Sequence, residues 1–236
     1  DEEVGLFGSK MMDFSKFPVD FAYTIDCCEL GEVVYQTFNA GTALIDIKGV
    51  TAHPMSAKNT LVNPGLVAVD FINCLDRMQT PEHTEGTEGF IWVGSIESNA
   101  AEAHLNIKIR DHNKAMYEAR KKYLADALEY VKAKNPKAEI KMEITDVYAN
   151  IADAIREDNK MCIDYIFEAM KELEIEPKNL AMRGGTDGSF ISTKGILTPN
   201  YFTGAHNFHS NCEFMPMDAV EKSCRMTLKL IELITK

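Results

Sequence analysis

The middle of the chain alternates between apolar and polar residues, which is the pattern of half-buried strands. The alternating runs are residues 32–49, 90–98, 103–111 and 139–147. The first run is rich in β-branched residues and breaks near Asn39, so it predicts two strands, or one strand that changes partner. The second and third runs predict two strands joined by a tight Ser98-Asn99 turn.

Two amphipathic segments lie between these strands. Asn63 and Pro64 form a helix start, with asparagine as the N-cap and proline in the first turn, and the helix is predicted to run to about Met78. Its predicted apolar face consists of Leu66, Val69, Phe71, Ile72 and Leu75. A longer helix is predicted over residues 114–134. The order over residues 40–147 is therefore β-α-β-β-α-β, which is typical of a complete ferredoxin-like sandwich.

The flanking segments predict a different fold class. A short apolar strand over residues 21–26 ends in Asp26. The elements predicted after the sandwich are a helix over 158–174, a strand before Arg183, a strand near Tyr201 and a helix over 217–234. Such alternation predicts a mostly parallel α/β sheet. We therefore expect an α/β domain formed by residues 1–39 and 148–236, into which the sandwich of residues 40–147 is inserted.

Composition narrows the classes of partner. The 236 residues carry a net charge of −11, with 25 Lys and Arg against 36 Asp and Glu. Because contacts to phosphates need clustered basic residues, this balance argues against nucleic acid and anionic membranes as partners. The longest apolar runs are far too short to span a membrane. Six cysteines without a zinc-finger or thioredoxin spacing favour a reduced, cytoplasmic protein.

Carboxylates and a histidine lie where strands of the α/β domain are predicted to end. Glu2 and Glu3 open the chain, Asp26 ends a strand, and two candidate histidines, His206 and His209, follow the strand near Tyr201. Ligands collect at the carboxyl ends of strands in such sheets, and these side chains suit a divalent metal. Taken singly, each has an ordinary alternative as a solvated acid, a turn cap or a polar histidine. A chain that starts inside such a constellation is expected to lack the first part of an enzyme.

A glycine-rich loop over residues 183–188 follows a predicted strand. It has neither the lysine and hydroxyl pair of a P-loop nor the GxGxxG pattern, so a nucleotide site is a weak interpretation. Glycines beside Arg183 allow the close approach of a carboxylate, although a tight turn with an exposed arginine is the alternative. His53 and Arg110, in the sandwich, are ordinary surface residues on this evidence. Together, these features predict metal-assisted hydrolysis of a substrate that carries a carboxylate.

Seven short motifs occur in an order that is known from one enzyme family. They are Asp1 to Gly5, Phe21 to Asp26, His53-Pro54 with Ala57-Lys58 and Val62-Asn63, Thr84-Glu85-Gly86 with Glu88-Gly89-Phe90, Ile109-Arg110-Asp111, Arg183 to Gly188, and Phe202-Thr203-Gly204 with Asn207-Phe208-His209. Through them the chain resembles, over essentially its whole length, the co-catalytic zinc peptidases, and among these the tripeptide aminopeptidases. Aminoacylases and glutamate-releasing carboxypeptidases belong to the same family.

The resemblance implies a site with two Zn²⁺ per full-length subunit, at which the N-terminal residue of a tripeptide is released. Glu2 is implied as the general base, which takes a proton from the attacking water. Glu3 and His209 are implied as ligands of one zinc ion. Asp26 is implied as a ligand of the other.

The resemblance also implies roles outside the metal site. His53 would reach the active site of a partner subunit and help to bind the oxyanion. Arg183, with Arg110 as a second candidate, would bind the peptide carboxylate. Residues 40–147 would form the lid and the interface of a homodimer.

The chain departs from the family pattern at several positions. In the family, a histidine and a metal-bridging aspartate precede the first motif, so neither zinc site is expected to be complete and the fragment is expected to be inactive alone. Cys27 and Cys28 replace two frequent glycines, and they either add to the metal site or are buried small residues. Met55 and Ser210 also replace glycines.

Two other functions are compatible with the sequence. One is an enzyme of the same fold that acts as a dipeptidase, carboxypeptidase or deacylase. The other is a non-catalytic fragment that serves only as a dimerising module.

Overall fold

The structure, a computed structural model, describes residues 5–26 and 28–236, which divide into two units. One unit comprises Asn39–Val147. The other comprises Tyr148–Lys236 and the described residues before Asn39. The predicted roles of Glu2, Glu3 and Cys27 fall on residues outside this description. Among the described residues, no helix is both long and apolar enough to cross a membrane.

Four strands form the sheet of the Asn39–Val147 unit, in the order β4-β5-β3-β6. They are β3 (Asn39–Lys48), β4 (Phe90–Ser98), β5 (Glu102–Asp111) and β6 (Glu139–Tyr148). β5 runs antiparallel to both β3 and β4. Asn99 closes the turn between β4 and β5, because its side-chain oxygen accepts the N–H groups of Ala101 and Glu102. This sheet and its two helices form the predicted ferredoxin-like sandwich.

The two helices of this unit, α2 (Pro64–Ile72) and α3 (Lys114–Lys134), begin at asparagine caps. The side-chain oxygen of Asn63 accepts the N–H of Gly65, and that of Asn113 accepts the N–H of Met116. The helices share one core with alternate residues of the strands. Its fully buried members include Ile45, Ile47, Phe71, Leu105, Ile107, Ile109, Leu124 and Val131.

The apolar face predicted for α2 is wrong in part. The buried residues of α2 are Pro64, Val67, Ala68 and Phe71, which form one helical stripe. Leu66 and Val69, by contrast, are 64% and 48% exposed and form a second apolar stripe. The helix also ends at Ile72, earlier than predicted, and Asp76 then caps a separate 3₁₀ turn. The prediction merged two stripes of one helix, of which the sandwich buries only one.

The other unit contains a second four-stranded sheet, in the order β1-β8-β2-β7. Its strands are β1 (Thr24–Ile25), β2 (Glu32–Gln36), β7 (Lys178–Ala181) and β8 (Asn200–Tyr201). β1 is parallel to β8 and β2 is parallel to β7, whereas β2 and β8 are antiparallel. The sheet is therefore mostly parallel, as the alternation of helices and strands predicts.

Four α-helices occur among the described residues of this second unit. They are α1 (Phe7–Lys10), α4 (Met161–Glu172), α5 (Asp187–Ser192) and α6 (Met217–Ile234). Helices α4 and α6 pack against each other and share a core with β2 and β8. The fully buried members of that core include Val33, Val34, Ile166, Met170, Tyr201, Phe202 and Met226.

A buried ion pair connects α3 to the end of β5. The Nε of Arg120 donates to Oδ2 of Asp111 at 2.8 Å, and the two side chains are only 11% and 5% exposed. Oδ1 of Asp111 accepts the N–H of Asn113 at 2.9 Å. The carboxylate therefore joins a helix, its N-cap and a strand.

We expect Asp111→Asn to destabilise the protein by about 3–5 kcal/mol, because it leaves the buried guanidinium of Arg120 without its carboxylate. Urea denaturation measures this loss. The control is Asp126→Asn, which removes an exposed pair with Lys122 on the same helix and should cost at most about 0.5 kcal/mol. Equal losses in the two variants would contradict a structural role for the buried pair.

Candidate active site

The parallel pairing of β1 with β8 places the ends of both strands at one edge of the sheet. Asp26 follows β1, and the segment with His209 follows β8. Asn200 connects the two strands, because its Nδ2 donates to the carbonyl of Asp26 at 3.1 Å and its Oδ1 accepts the hydroxyl of Thr24. A buried amide therefore holds Asp26 at the strand end.

A cavity of about 400 Å³ opens at this edge of the sheet. Its described walls come from the segments that follow β1, β7 and β8. Three ionisable side chains line it, namely Asp26, His209 and Glu213. The structure therefore brings two of the predicted metal ligands to one cavity and adds a carboxylate that the sequence did not single out. Its only sequence signal is a spacing of four residues from His209.

Glycines in the segment after β7 allow close packing behind the cavity. The carbonyl of Gly184 accepts the N–H of Phe38 at 3.0 Å. A Cβ on Gly185 would overlap the ring of Tyr148, so a larger residue would displace this wall. The side chain of Thr186 then caps α5. The glycines thus serve the packing of the backbone, in agreement with the weak case for a nucleotide site.

Arg183 lies beside the cavity rather than in its wall. Its guanidinium carbon lies 5.3 Å from the centre of the Phe38 ring, a cation–π arrangement. Its neighbours Met182 and Gly184 line the cavity, whereas Arg183 itself is not among the described lining residues.

His209 lies at the tip of a short hairpin. His206 and Phe214 form its base, and each donates its backbone N–H to the other's carbonyl, at 2.9 and 3.2 Å. Asn207 and His209 both have left-handed backbone conformations, with φ of 58° and 61°. The N–H of His209 donates to the carboxylate of Glu213 at 3.0 Å, so Glu213 supports the backbone that presents the imidazole.

The backbone conformation of Cys28 explains why the family pattern has glycine at this position. This residue is buried and has a φ of 73°, a conformation that favours glycine. Its carbonyl accepts the N–H of Gly204 at 3.0 Å, which connects the segment after β1 to the segment after β8. Gly204 itself has a φ of 88°, and a Cβ there would overlap Ala219 of α6. The segments that carry Asp26 and His209 are thus joined by their backbones.

Burial shifts the pKa of three side chains in this unit. Burial raises the pKa of Tyr23 and of Tyr201, and it raises the pKa of the Cys162 thiol to about 12. The hydroxyl of Tyr23 donates to the carbonyl of Cys162 at 2.8 Å, and that of Tyr201 shares a hydrogen bond with Thr227. The raised pKa values favour the protonated, uncharged forms, and the hydrogen bonds of the two tyrosines fix their hydroxyls within this unit.

The other predicted site residues lie in the Asn39–Val147 unit. His53 is exposed and caps a 3₁₀ turn over Pro54–Ser56, where its Nδ1 accepts the N–H of Met55 at 3.1 Å. Nη1 of Arg110 donates to the carbonyls of Gly41 and Ile109, at 2.9 and 2.8 Å. The catalytic role of His53 and the substrate-binding role of Arg110 stay predictions.

The donor set at the cavity is suited to zinc in kind. Imidazole and carboxylate oxygen are both ordinary zinc ligands. Within residues 5–26 and 28–236, however, no three His, Cys, Asp or Glu side chains form a group that could hold a metal ion. Asp26 and His209 therefore fit as part of a metal site, to which further ligands must be added.

Comparison with known proteins gives a family for this architecture. A family model described as a peptidase dimerisation domain matches residues 35–139. A peptidase T-like protein of Yersinia pestis is 56% identical over 227 residues, which are 96% of this chain and 55% of that protein. Peptidase T of Caldanaerobacter subterraneus is 39% identical over 236 residues, all of this chain and 57% of that protein. The chain thus spans little more than half the length of these curated relatives.

Solved structures share the fold at low sequence identity. A tripeptidase of Staphylococcus aureus has a TM-score of 0.82 at 23% identity, covering 99% of this chain and 62% of that one. Aminopeptidase PepT of Bacillus cereus has the same TM-score at 21% identity, covering 100% and 62%. A Bacillus subtilis protein described as a dinuclear metal-binding peptidase of the M20 family has a TM-score of 0.63 at 13% identity, covering 90% and 55%.

The curated relatives and the matched domain lead to one assignment. Identity of 39% or more extends over nearly all of the chain, and the matched domain covers the sandwich up to the start of β6. The chain therefore belongs to the peptidase T family and matches the C-terminal part of its members, including their dimerisation domain.

Proposed function

We propose that this chain is the C-terminal part of a two-metal aminopeptidase that releases the N-terminal residue of tripeptides. One observation carries the proposal: Asp26, directly after β1, and His209, in the hairpin that follows the adjacent parallel strand β8, line the same cavity. A volume of about 400 Å³ is of the size that takes a small ligand such as a short peptide.

The metal ligands on this chain would be Glu3 and His209 at one ion and Asp26 at the other. When bound, a metal pair supplies a water of lowered pKa and a Lewis acid for the scissile carbonyl. The ions are proposed to be zinc, which imidazole and carboxylate ligands suit. Ligands from the rest of the protein are needed to complete both sites.

Proton transfer is assigned to Glu2. It would take a proton from the attacking water and deliver it to the leaving amine, which needs a carboxylate that does not itself bind a metal. His53 of the partner subunit is proposed to donate to the developing oxyanion, as such donors contribute roughly 3–4 kcal/mol.

Recognition of the peptide carboxylate is assigned to Arg183. Its guanidinium lies over Phe38, next to the wall of the cavity, and this stacking orients the planar donor group. Arg110 is the second candidate. Hydrogen bonds from its Nη1 to two backbone carbonyls hold the side chain in a defined orientation.

The proposed enzyme is a cytoplasmic homodimer. Among the described residues, Cys74, Cys162, Cys212 and Cys224 form no disulfide, and free thiols are ordinary in that compartment. The match to a peptidase dimerisation domain supports self-association through the sandwich.

The proposed dimer surface consists of two elements. They are the second apolar stripe of α2, formed by Leu66 and Val69 and here called the outward stripe, and the edge strand β4. Leu66 and Val69 of α2 are exposed, and Trp92 and Ile96 of β4 each expose about half of their area. The two elements are close, because a Cβ on Gly65 of α2 would lie 3.0 Å from the Ser98 hydroxyl of β4. A strand from a second copy can add to such an edge.

The opposite edge of the sheet is less suited to pairing. It is formed by β6, whose exposed residues include Glu139, Lys141 and Glu143. Lys141 and Glu139 form an exposed ion pair at 2.6 Å. Charged side chains on an edge strand oppose association with another strand, so the apolar edge at β4 is favoured.

For the full-length protein we expect Glu2→Gln to lower kcat on a tripeptide by about 10²–10⁴-fold, because the amide keeps the size but cannot act as a base. Zinc content should equal that of the wild type, measured on the same samples. A variant that retains most of its kcat would remove Glu2 from the mechanism. Faster cleavage of dipeptides or acyl amino acids than of tripeptides by the wild type would favour a dipeptidase, carboxypeptidase or deacylase.

The dimer surface is tested by Val69→Glu in the full-length protein. Because the change places a charge in the outward stripe of α2 and not in the core, we expect it to weaken dimerisation by about 10- to 100-fold. Light scattering across a dilution series measures the association. The matched control, Met116→Glu, alters an equally exposed apolar residue of α3 and should leave the dimer intact. Dissociation of both variants, or of neither, would argue against this surface.

A further inference from the structure

We propose that Glu29 and His206 are a pair of positioning residues that set the separation of Asp26 and His209 and so control zinc affinity. The inference rests on the proposed function, since it concerns the ligands assigned there. Neither residue is among the described lining of the cavity. Both would therefore act through the backbone segments to which they belong.

The two side chains are in polar contact between the ligand-bearing segments. Nδ1 of His206 lies 2.9 Å from Oε1 of Glu29. Glu29 comes three residues after Asp26, and His206 comes three residues before His209. The pair therefore spans the same two segments as the proposed ligands, at a similar distance along the chain from each.

His206 is also the base of the hairpin that presents His209. Its backbone exchanges two hydrogen bonds with Phe214, and its ring stacks on the Phe214 ring with centroids 5.1 Å apart and an interplanar angle of 21°. The imidazole thus contacts Phe214 with its face and Glu29 with one nitrogen. The His206 side chain therefore links Phe214, on the other strand of the hairpin, to Glu29 in the segment after β1.

The hairpin tip depends on such anchoring. Asn207 and His209 have left-handed backbone conformations, which residues other than glycine adopt rarely and which surrounding contacts must hold. Within the hairpin, Asn207 donates to the carbonyl of Cys212 at 3.2 Å, and Glu213 accepts from His209. These bonds shape the tip. The contact of His206 with Glu29 and the backbone bond between Gly204 and Cys28 join the hairpin segment to the segment after β1.

The test uses the full-length protein stripped of metal and titrated with zinc against a chromophoric chelator. His206→Ala should raise the weaker zinc dissociation constant by about 10- to 100-fold, the usual effect of losing a residue that orients a ligand. His206→Asn, which retains a donor near the position of Nδ1, should recover most of the affinity. The KM for a tripeptide should change less than kcat.

Coupling between the partners is measured with Glu29→Ala and the double variant. Because each single change removes the same contact, the double variant should lose little more affinity than either single one. The control is His104→Ala, which removes a similar histidine–aspartate pair with Asp46 (2.7 Å) in the Asn39–Val147 unit. It should bind zinc like the wild type. Circular dichroism checks folding, and if His206→Ala fails to fold, Glu29→Gln takes its place.

Two results would overturn the inference. Suppose first that the wild type binds zinc and cleaves tripeptides. If His206→Ala and Glu29→Ala then bind zinc with the same affinity as the wild type, the positioning role is wrong while the proposed function stands. If the wild type binds no zinc, the proposed function fails and the inference fails with it. Additive losses in the double variant would show that the two residues act separately, which also contradicts the pair.

Discussion

The parallel pairing of β1 with β8 is the constraint on which the candidate site depends. Each strand is only two residues long, so backbone pairing alone is a weak link. The buried side chain of Asn200 compensates by bonding to both Thr24 and the carbonyl of Asp26. Tyr201, next in β8, is fully buried and forms part of the core with α4 and α6. Hydrogen bonds hold the strand ends together, and packing in the hydrophobic core stabilises the strands in the sheet.

Local patterns in the sequence were sufficient to predict most of the helices and strands. Strong periodicity gave correct bounds for the helices at residues 114–134 and 217–234, and caps such as Asn63 marked a helix start. The outward stripe of α2 was misjudged, because a pattern of apolar residues does not distinguish a face that meets the core from one that meets solvent or a partner. That distinction depends on which neighbours the fold supplies.

The candidate site was predictable only in part, for the same reason. Strand ends and the family motifs indicated Asp26 and His209, and both line the cavity. Glu213 and the pair of Glu29 with His206 carry no local signal, since their roles arise from contacts between segments far apart in sequence. The conformation of Cys28 is a related case: the family pattern suggested glycine, and only the backbone angle explains why.

The chain leaves and re-enters the α/β unit at residues that contact the wall of the cavity. The chain leaves this unit after Phe38, whose N–H donates to Gly184, and returns at Tyr148, whose ring packs on Gly185. Beside them, the side-chain oxygen of Asn150 accepts the N–H of Thr37 at 2.8 Å, which joins the outgoing and returning segments. Gly184 and Gly185 also line the cavity. Both crossing segments therefore contact the cavity wall, the outgoing one through a hydrogen bond and the returning one through the packing of a ring.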